Sequence, residues 1–219
     1  MFPTDDLFAD SSSAAPEPIA DGAWLLRGFV LSEADQLINA IQQVASQAPF
    51  RHQTTPGGHV MSAAMSSCGD LGWVTDRQGY RYSSTDPLTG RPWPAMPSLL
   101  RQIAMAAAAA GGYEHFEPDA CLINRYATGA RMGLHQDKDE DDMGAPIVSV
   151  SLGAPIRFLF GGTARTDKAA GWTLEHGDVV VWGSASRLFF HGVAPLGKRA
   201  EHPTTGPLRY NLTFRKVMA

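Results

Sequence analysis

Chemistry is most concentrated at His135 and Asp137, within Leu134-His135-Gln136-Asp137-Lys138-Asp139-Glu140. In an extended backbone, side chains two apart share a face, so this imidazole and carboxylate can converge on one point. Such a pair supplies two corners of a two-histidine, one-carboxylate site, which holds Fe(II) on one side and leaves the other open to oxygen and a co-substrate. The third corner can come from far along the chain. His191, carried by the apolar run Arg187-Leu188-Phe189-Phe190-His191-Gly192-Val193, is the best placed. His-x-Asp is common, and an acidic run such as Asp137 to Asp142 is otherwise a solvated loop in which Glu140 faces water. The tripeptide alone does not define a metal site.

A second set lies near the end of the chain. In Arg209-Tyr210-Asn211-Leu212-Thr213-Phe214-Arg215 the polar residues Arg209, Asn211, Thr213 and Arg215 share one face, with Tyr210, Leu212 and Phe214 on the other. Arginines facing inward from a buried strand need an anionic partner. A dicarboxylate suits them, because a guanidinium fork matches a carboxylate bidentately. Asn124 and Tyr126, also two apart, can add hydrogen bonds from another strand. A surface strand with exposed arginines would carry the same alternation.

Several elements must position these groups. The first 18 residues lack apolar periodicity and read as a disordered arm. Residues 19–48 read as a strand, Ala23 to Val30, followed by a helix with Ser32 as its N-cap that runs to about Gln47. From 49 to 97, Gly, Pro, Ser and aromatics dominate, predicting short strands and loops rather than a packed layer. Arg51, Arg77, Arg81 and Arg91 are interleaved there with Trp73, Tyr80, Tyr82 and Trp93. That mixture suits stacking on bases and pairing with phosphates, and equally suits a loop-rich subdomain with its own small core. Residues 98–219 read as a helix to Ala110, stopped by Gly111-Gly112, and then a series of strands. Trp172 to Glu175 and Val179 to Trp182 form a hairpin in this reading, turning at His176-Gly177-Asp178. Strands without intervening helices predict a mostly β protein with a jelly-roll core and flanking helices.

At 219 residues and 44% hydrophobic content the chain can bury a full core. A net charge of −4 gives no global attraction for polyanions, so any nucleic-acid contact must be local. Cys68 and Cys121 have no metal-ligand spacing. With no basic-then-apolar leader and no long apolar run, the expectation is a cytoplasmic monomer that does not engage membranes. His52, His59, His115, His176 and His202 have no partner spacing, and Trp24, Trp172 and Trp182 are expected in the core.

Taken together, Asn124-x-Tyr126, His135-x-Asp137, His191 and Arg209 to Arg215 resemble the AlkB family of Fe(II)- and 2-oxoglutarate-dependent dioxygenases. The resemblance runs from about Leu25 to Arg215 and includes Thr55-Pro56-Gly57-Gly58, Leu71-Gly72-Trp73 and Arg77-Gln78-Gly79-Tyr80. It implies a double-stranded β-helix core with an N-terminal nucleotide-recognition lid over 49–97. It also implies Fe(II) held by His135, Asp137 and His191, and 2-oxoglutarate held by Asn124, Tyr126, Arg209, Asn211 and Arg215, with O2 as the second co-substrate. Trp73 would stack on a flipped base opposite His135, Met65 would line the pocket, and Tyr80 and Arg165 would help place the nucleotide. Asp139 would approach the base edge, where a carboxylate favours cationic 1-methyladenine and 3-methylcytosine over uncharged bases. The implied reaction is oxidative demethylation of alkylated DNA, single- or double-stranded, and of RNA, with release of formaldehyde. An oxygenase acting on a protein or small molecule, and a non-catalytic jelly-roll binding module, are the competing readings. The arm and the Lys198–Thr205 loop lie outside the matching motifs.

Overall fold

The computed structural model describes residues 15–219. Most of the expected N-terminal arm therefore lies outside the described residues. Its last part does not behave as an arm: β1 (Glu17–Ala20) pairs with β2 (Ala23–Leu26). The predicted first strand also ends early, at Leu26. Gly28 turns the chain there with φ +60 and donates its N–H to the Asp178 carboxylate at 2.8 Å.

Helix α1 (Ala34–Gln47) buries Leu37, Ile38, Ile41 and Val44, the apolar stripe of an amphipathic helix. Ser32 does not cap it. Its hydroxyl binds Glu33 Oε2 instead, and the first turn closes from Leu37 N–H to the Glu33 carbonyl at 2.9 Å. Helix α2 (Ser98–Ala110) buries Leu100, Ile103, Ala104, Ala107 and Ala108. It ends in a Schellman motif, with Gly112 at φ +85 and Tyr113 N–H returning to the Ala108 carbonyl.

The remaining strands are β3 (Arg51–Thr54), β4 (Val60–Gly69), β5 (Gly72–Asp76), β6 (Gly79–Ser83), β7 (Ala120–Tyr126), β8 (Met132–His135), β9 (Ile147–Gly153), β10 (Ile156–Phe160), β11 (Ala170–Leu174), β12 (Val179–Trp182), β13 (His191–Val193) and β14 (Arg209–Arg215). They form an eight-stranded sheet in the order β1-β2-β12-β9-β14-β7-β4-β3, a four-stranded sheet β11-β10-β13-β8, and the hairpin β5-β6. The pairings are antiparallel. One face of the large sheet packs Val148, Val150, Val179, Val181, Leu212 and Phe214 against both helices. Its other face meets the small sheet around Leu122, Tyr126, Phe158, Phe160 and Trp182. The expected jelly-roll core with flanking helices is present.

Two local expectations change. The first is the 172–182 hairpin. β11 pairs with β10 in the small sheet, while β12 pairs with β2 and β9 in the large one. The cause is burial: all four residues of β12 are buried, so it needs cover on both faces, whereas β11 is largely open and takes an edge. The 175–178 turn therefore switches sheets. Asp178 pins it by accepting from Arg27 and the Gly28 and Glu175 amides, each at 2.8–2.9 Å. The second is 49–97, where short strands and loops are expected but part of the region joins a packed layer. β4 pairs residue for residue with β7 from Ala64 to Gly69, so that half of the region belongs to the large sheet. Small residues (Ala63, Ala64, Ser66, Ser67) carry no bulky periodicity, which hid a buried strand. Only β5-β6 stands apart.

Candidate metal and co-substrate site

β8 and β13 are neighbours in the small sheet, and their register sets His135 directly opposite His191. Opposed residues in an antiparallel pair project to the same side, so the rings meet with centroids 4.4 Å apart. Asp137 lies two residues past the end of β8. His135 Nε2 is 3.6 Å from Asp137 Oδ1, and His191 Nε2 is 3.7 Å from Oδ2. One ligand atom from each of the three residues falls within 4.8 Å of the others. Each imidazole is oriented from behind: Nδ1 of His135 meets the Gly133 carbonyl at 2.9 Å and Nδ1 of His191 meets the Phe189 carbonyl at 3.0 Å. A carbonyl only accepts, so Nδ1 carries the proton and the Nε2 lone pair is left for a metal.

The charge states fit the same use. Burial pushes His191 down to about 4, so it is neutral at pH 7. Burial alone would raise the Asp137 carboxyl, but Arg215, His191 and His135 around it hold it well below the usual carboxylate range. Two imidazoles and one carboxylate with open positions are the donor set of a non-haem Fe(II) site.

β14 runs between β9 and β7, which sets Arg209 beside Tyr126, and Asn211 between Asn124 and Ser151. Arg209 is only 2% exposed. Its Nη2 donates to Ser151 Oγ at 2.9 Å and its guanidinium lies 5.1 Å from the centre of the Tyr126 ring, but Nε and Nη1 have no hydrogen-bond partner among the described residues. The Asn124 side-chain oxygen has none among them either. A cavity of about 60 Å³ joins these groups to His135, Asp137 and His191. A buried cation with unmet donors at one end and a metal-ready cluster at the other fits an anion that spans both, as a dicarboxylate does.

Arg215 lines the same cavity and is also paired with protein carboxylates. Its Nε and Nη2 reach Asp137 Oδ2 at 3.1 and 2.6 Å, and Nε lies 3.3 Å from Glu140 Oε1. These ion pairs form because the chain past β8 brings Asp137 and Glu140 to the end of β14.

A second cavity, of about 370 Å³, shares His135, Asp137 and Arg215 with the first. Met65, Trp73, Tyr80, Asp139 and Arg165 all line it. Trp73 and Tyr80 stack at 5.6 Å and 19°, and Trp73 Nε1 donates to Asp139 at 3.2 Å. Arg165 lies over Phe190 at 5.3 Å.

Some residues around the site escape sequence reading. Glu140 is not solvated but 6% exposed, bound by Tyr82, Arg187 and Arg215. Its only sequence signal was position, three residues after Asp137. Arg187 sits at the head of the apolar run that carries His191, and only that apolar context hints at its burial. Ser149 and Ser151 face Asn211 and Arg209, as the alternation of small polar with apolar residues in β9 allows. Trp182 fills the core as expected and also lines the inner cavity, 4.8 Å from the His191 ring. His176 does have a partner, stacking on His202 at 3.9 Å.

A jelly roll carrying two histidines and a carboxylate beside a buried anion pocket defines an Fe(II) oxygenase that uses an oxo-acid co-substrate. Residues 22–215 match the family model of the 2OG-Fe(II) oxygenase superfamily. The chain is 59% identical over 212 residues to the alpha-ketoglutarate-dependent dioxygenase AlkB of Escherichia coli K12, covering 97% of each chain. It is 37% identical over 171 residues to the DNA N(6)-methyladenine demethylase ALKBH1C of Arabidopsis thaliana, spanning 67% of this chain and 38% of the relative. The solved structure of OsALKBH1 superimposes with a TM-score of 0.79 at 30% identity, covering 92% of this chain and 99% of that one. The chain belongs to the AlkB family of 2OG-Fe(II) oxygenases. Its cofactor is Fe(II), and 2-oxoglutarate is its co-substrate.

Proposed function

We propose that this oxygenase removes methyl groups oxidatively from alkylated nucleic-acid bases, with 1-methyladenine and 3-methylcytosine in DNA, and in RNA, as substrates. One observation carries the reading: the inner, anion-seeking cavity and the outer, aromatic-walled cavity both end on His135 and Asp137. The description of the Arabidopsis relative as a DNA demethylase supports the substrate class.

In this reading His135, Asp137 and His191 hold Fe(II). Arg209 takes the distal carboxylate of 2-oxoglutarate, Asn211, Asn124 and Tyr126 line its length, and Arg215, on the same cavity, pairs with a carboxylate of the co-substrate while also holding Asp137. The bound metal supplies the oxidising chemistry that splits O2 between 2-oxoglutarate, which leaves as succinate and carbon dioxide, and the N-methyl group, which becomes hydroxymethyl. That adduct loses formaldehyde and restores the base.

The outer residues select the substrate. A base must leave its stack to reach this depth, and lesions that block pairing lower that cost. Trp73 offers a stacking face, His135 bounds the opposite side and Met65 lines the wall. Asp139 favours a cationic methylated base over its uncharged parent. Tyr80 and Arg165, at the mouth, suit the nucleotide and its phosphate. Among the described residues no helix is long and apolar enough to cross a membrane. The proposal extends to a monomer working in the cytoplasm on single- or double-stranded DNA.

The test is product release from a 3-methylcytosine oligonucleotide supplied with Fe(II), 2-oxoglutarate and oxygen, beside a His135→Ala control. The expected outcome is equal amounts of succinate and formaldehyde, both lost in the control. Succinate without formaldehyde would point to a protein or small-molecule substrate. Neither product, with iron bound, would leave a binding module.

A further inference from the structure

Glu140 is a carboxylate with almost no access to water: its side chain is 2% exposed and both oxygens are engaged. Oε1 accepts from the Tyr82 hydroxyl at 2.6 Å and lies 3.3 Å from Arg215 Nε, while Oε2 accepts from Arg187 Nη2 at 3.1 Å. Both arginines then lead to Asp137. Arg215 binds its carboxylate, and Arg187 Nη1 donates to its backbone carbonyl at 2.7 Å. Asp137 is thus held at side chain and main chain by two guanidiniums, each of which Glu140 also binds.

The third contact, with Tyr82, leads elsewhere. Tyr82 belongs to β6, in the hairpin that stands apart from both large sheets, and its ladder partner on β5 is Trp73. Trp73 in turn donates to Asp139, so the hairpin grips the 137–140 segment at two points.

We propose that Glu140 is a positioning residue that couples the β5-β6 hairpin to the metal carboxylate, with Tyr82 as the latch on the hairpin side. This rests on the assignment of Asp137 as a metal ligand. Two carboxylates against two guanidiniums leave this cluster neutral, so Asp137 can turn toward a divalent ion without stranding a charge. A ligand's hydrogen-bond partners set its aim and basicity. Because Tyr82 and Trp73 are paired across one two-stranded ladder, a shift of the hairpin over the outer cavity changes the Tyr82–Glu140 contact. That change reaches Asp137 through Arg215 and Arg187. The same chain of contacts runs in reverse, so an ion held by Asp137 stabilises the seated hairpin.

Removing Glu140 outright would leave two buried guanidiniums unpaired and risks misfolding. The decisive variant is therefore Tyr82→Phe, which deletes one hydroxyl, with Glu140→Gln as the second. Mn(II), a redox-inert stand-in for Fe(II), is titrated into full-length protein, and amide hydrogen exchange of residues 72–83 is followed with and without it. In the wild-type protein Mn(II) is expected to slow exchange in the hairpin. Tyr82→Phe should abolish that metal-dependent slowing and weaken Mn(II) about threefold, and Glu140→Gln should weaken it about tenfold. A merely structural latch would speed exchange equally in both states and leave Mn(II) affinity unchanged, which overturns the coupling. No slowing in the wild-type protein overturns it as well. Failure of the wild-type protein to bind Mn(II) at all would sink the metal assignment, and the coupling with it.

Discussion

Arg209 is a full positive charge that folding has taken out of water and left half-satisfied, with one nitrogen on Ser151 and two without a hydrogen-bond partner among the described residues. Protein interiors avoid that state unless something completes it. Its place in the lining of the inner cavity makes a carboxylate the natural completion. Arg209→Gln keeps donor groups and removes the charge. We expect the KM for 2-oxoglutarate to rise about 100-fold, as losing a charge-assisted pair worth about 2–3 kcal/mol implies. Succinate release measured across a range of 2-oxoglutarate concentrations checks it. An unchanged KM would remove Arg209 from the proposed co-substrate site.

At the scale of elements, the site is a meeting of strand registers. His135 opposes His191 across β8-β13, and the polar face of β14 is flanked by β7 and β9. The β5-β6 hairpin contributes Trp73 and Tyr80 to the outer cavity only. Truncating Trp73 alone, with the Tyr82–Glu140 contact kept, should therefore separate recognition of the base from chemistry at the metal. Trp73→Ala is expected to raise the KM for a methylated oligonucleotide at least tenfold, since a base–aromatic stack contributes about 1–3 kcal/mol. Substrate-independent succinate release should stay within about twofold of wild type. If oligonucleotide turnover is intact, the stacking assignment is wrong.

For the whole molecule, the proposed metal cluster links pH to stability. His191 titrates at about 4 in the folded chain against an ordinary 6.5. Above 6.5 it is neutral in both states and its contribution is complete. Between 6.5 and about 4 the unfolded chain takes up the proton first, so stability falls as pH falls. Asp137, also depressed, extends the loss below its ordinary value of 3.8. Metal-free protein should thus lose on the order of 3 kcal/mol from this histidine between pH 7 and 4. Urea midpoints at pH 7, 5.5 and 4 read it, and His191→Gln should flatten the slope. An equal slope in that variant would locate the pH dependence elsewhere.

Sequence by itself determined whatever depends on neighbours a few residues apart. His135-x-Asp137, the alternating face of Arg209 to Arg215, the stripes of both helices and most strand positions all follow from local periodicity. The spaced motifs together carried the family. Tertiary structure decided what joins distant segments. Period-two alternation says which face a residue takes but not which strand lies beside it, so β12 leaves β11 for the large sheet and β4 joins it from a region that reads as short strands and loops. Charge partners are distant too. Arg215 is 78 residues from Asp137 and Arg187 is 47 from Glu140, so no spacing rule could turn Glu140 from a solvated acid into a buried hub. Arg209 and Arg215 look equivalent in the strand. Both line the inner cavity, and only the fold distinguishes them, by bringing Asp137 and Glu140 to Arg215 and leaving Arg209 with Ser151 alone among side-chain hydrogen-bond acceptors.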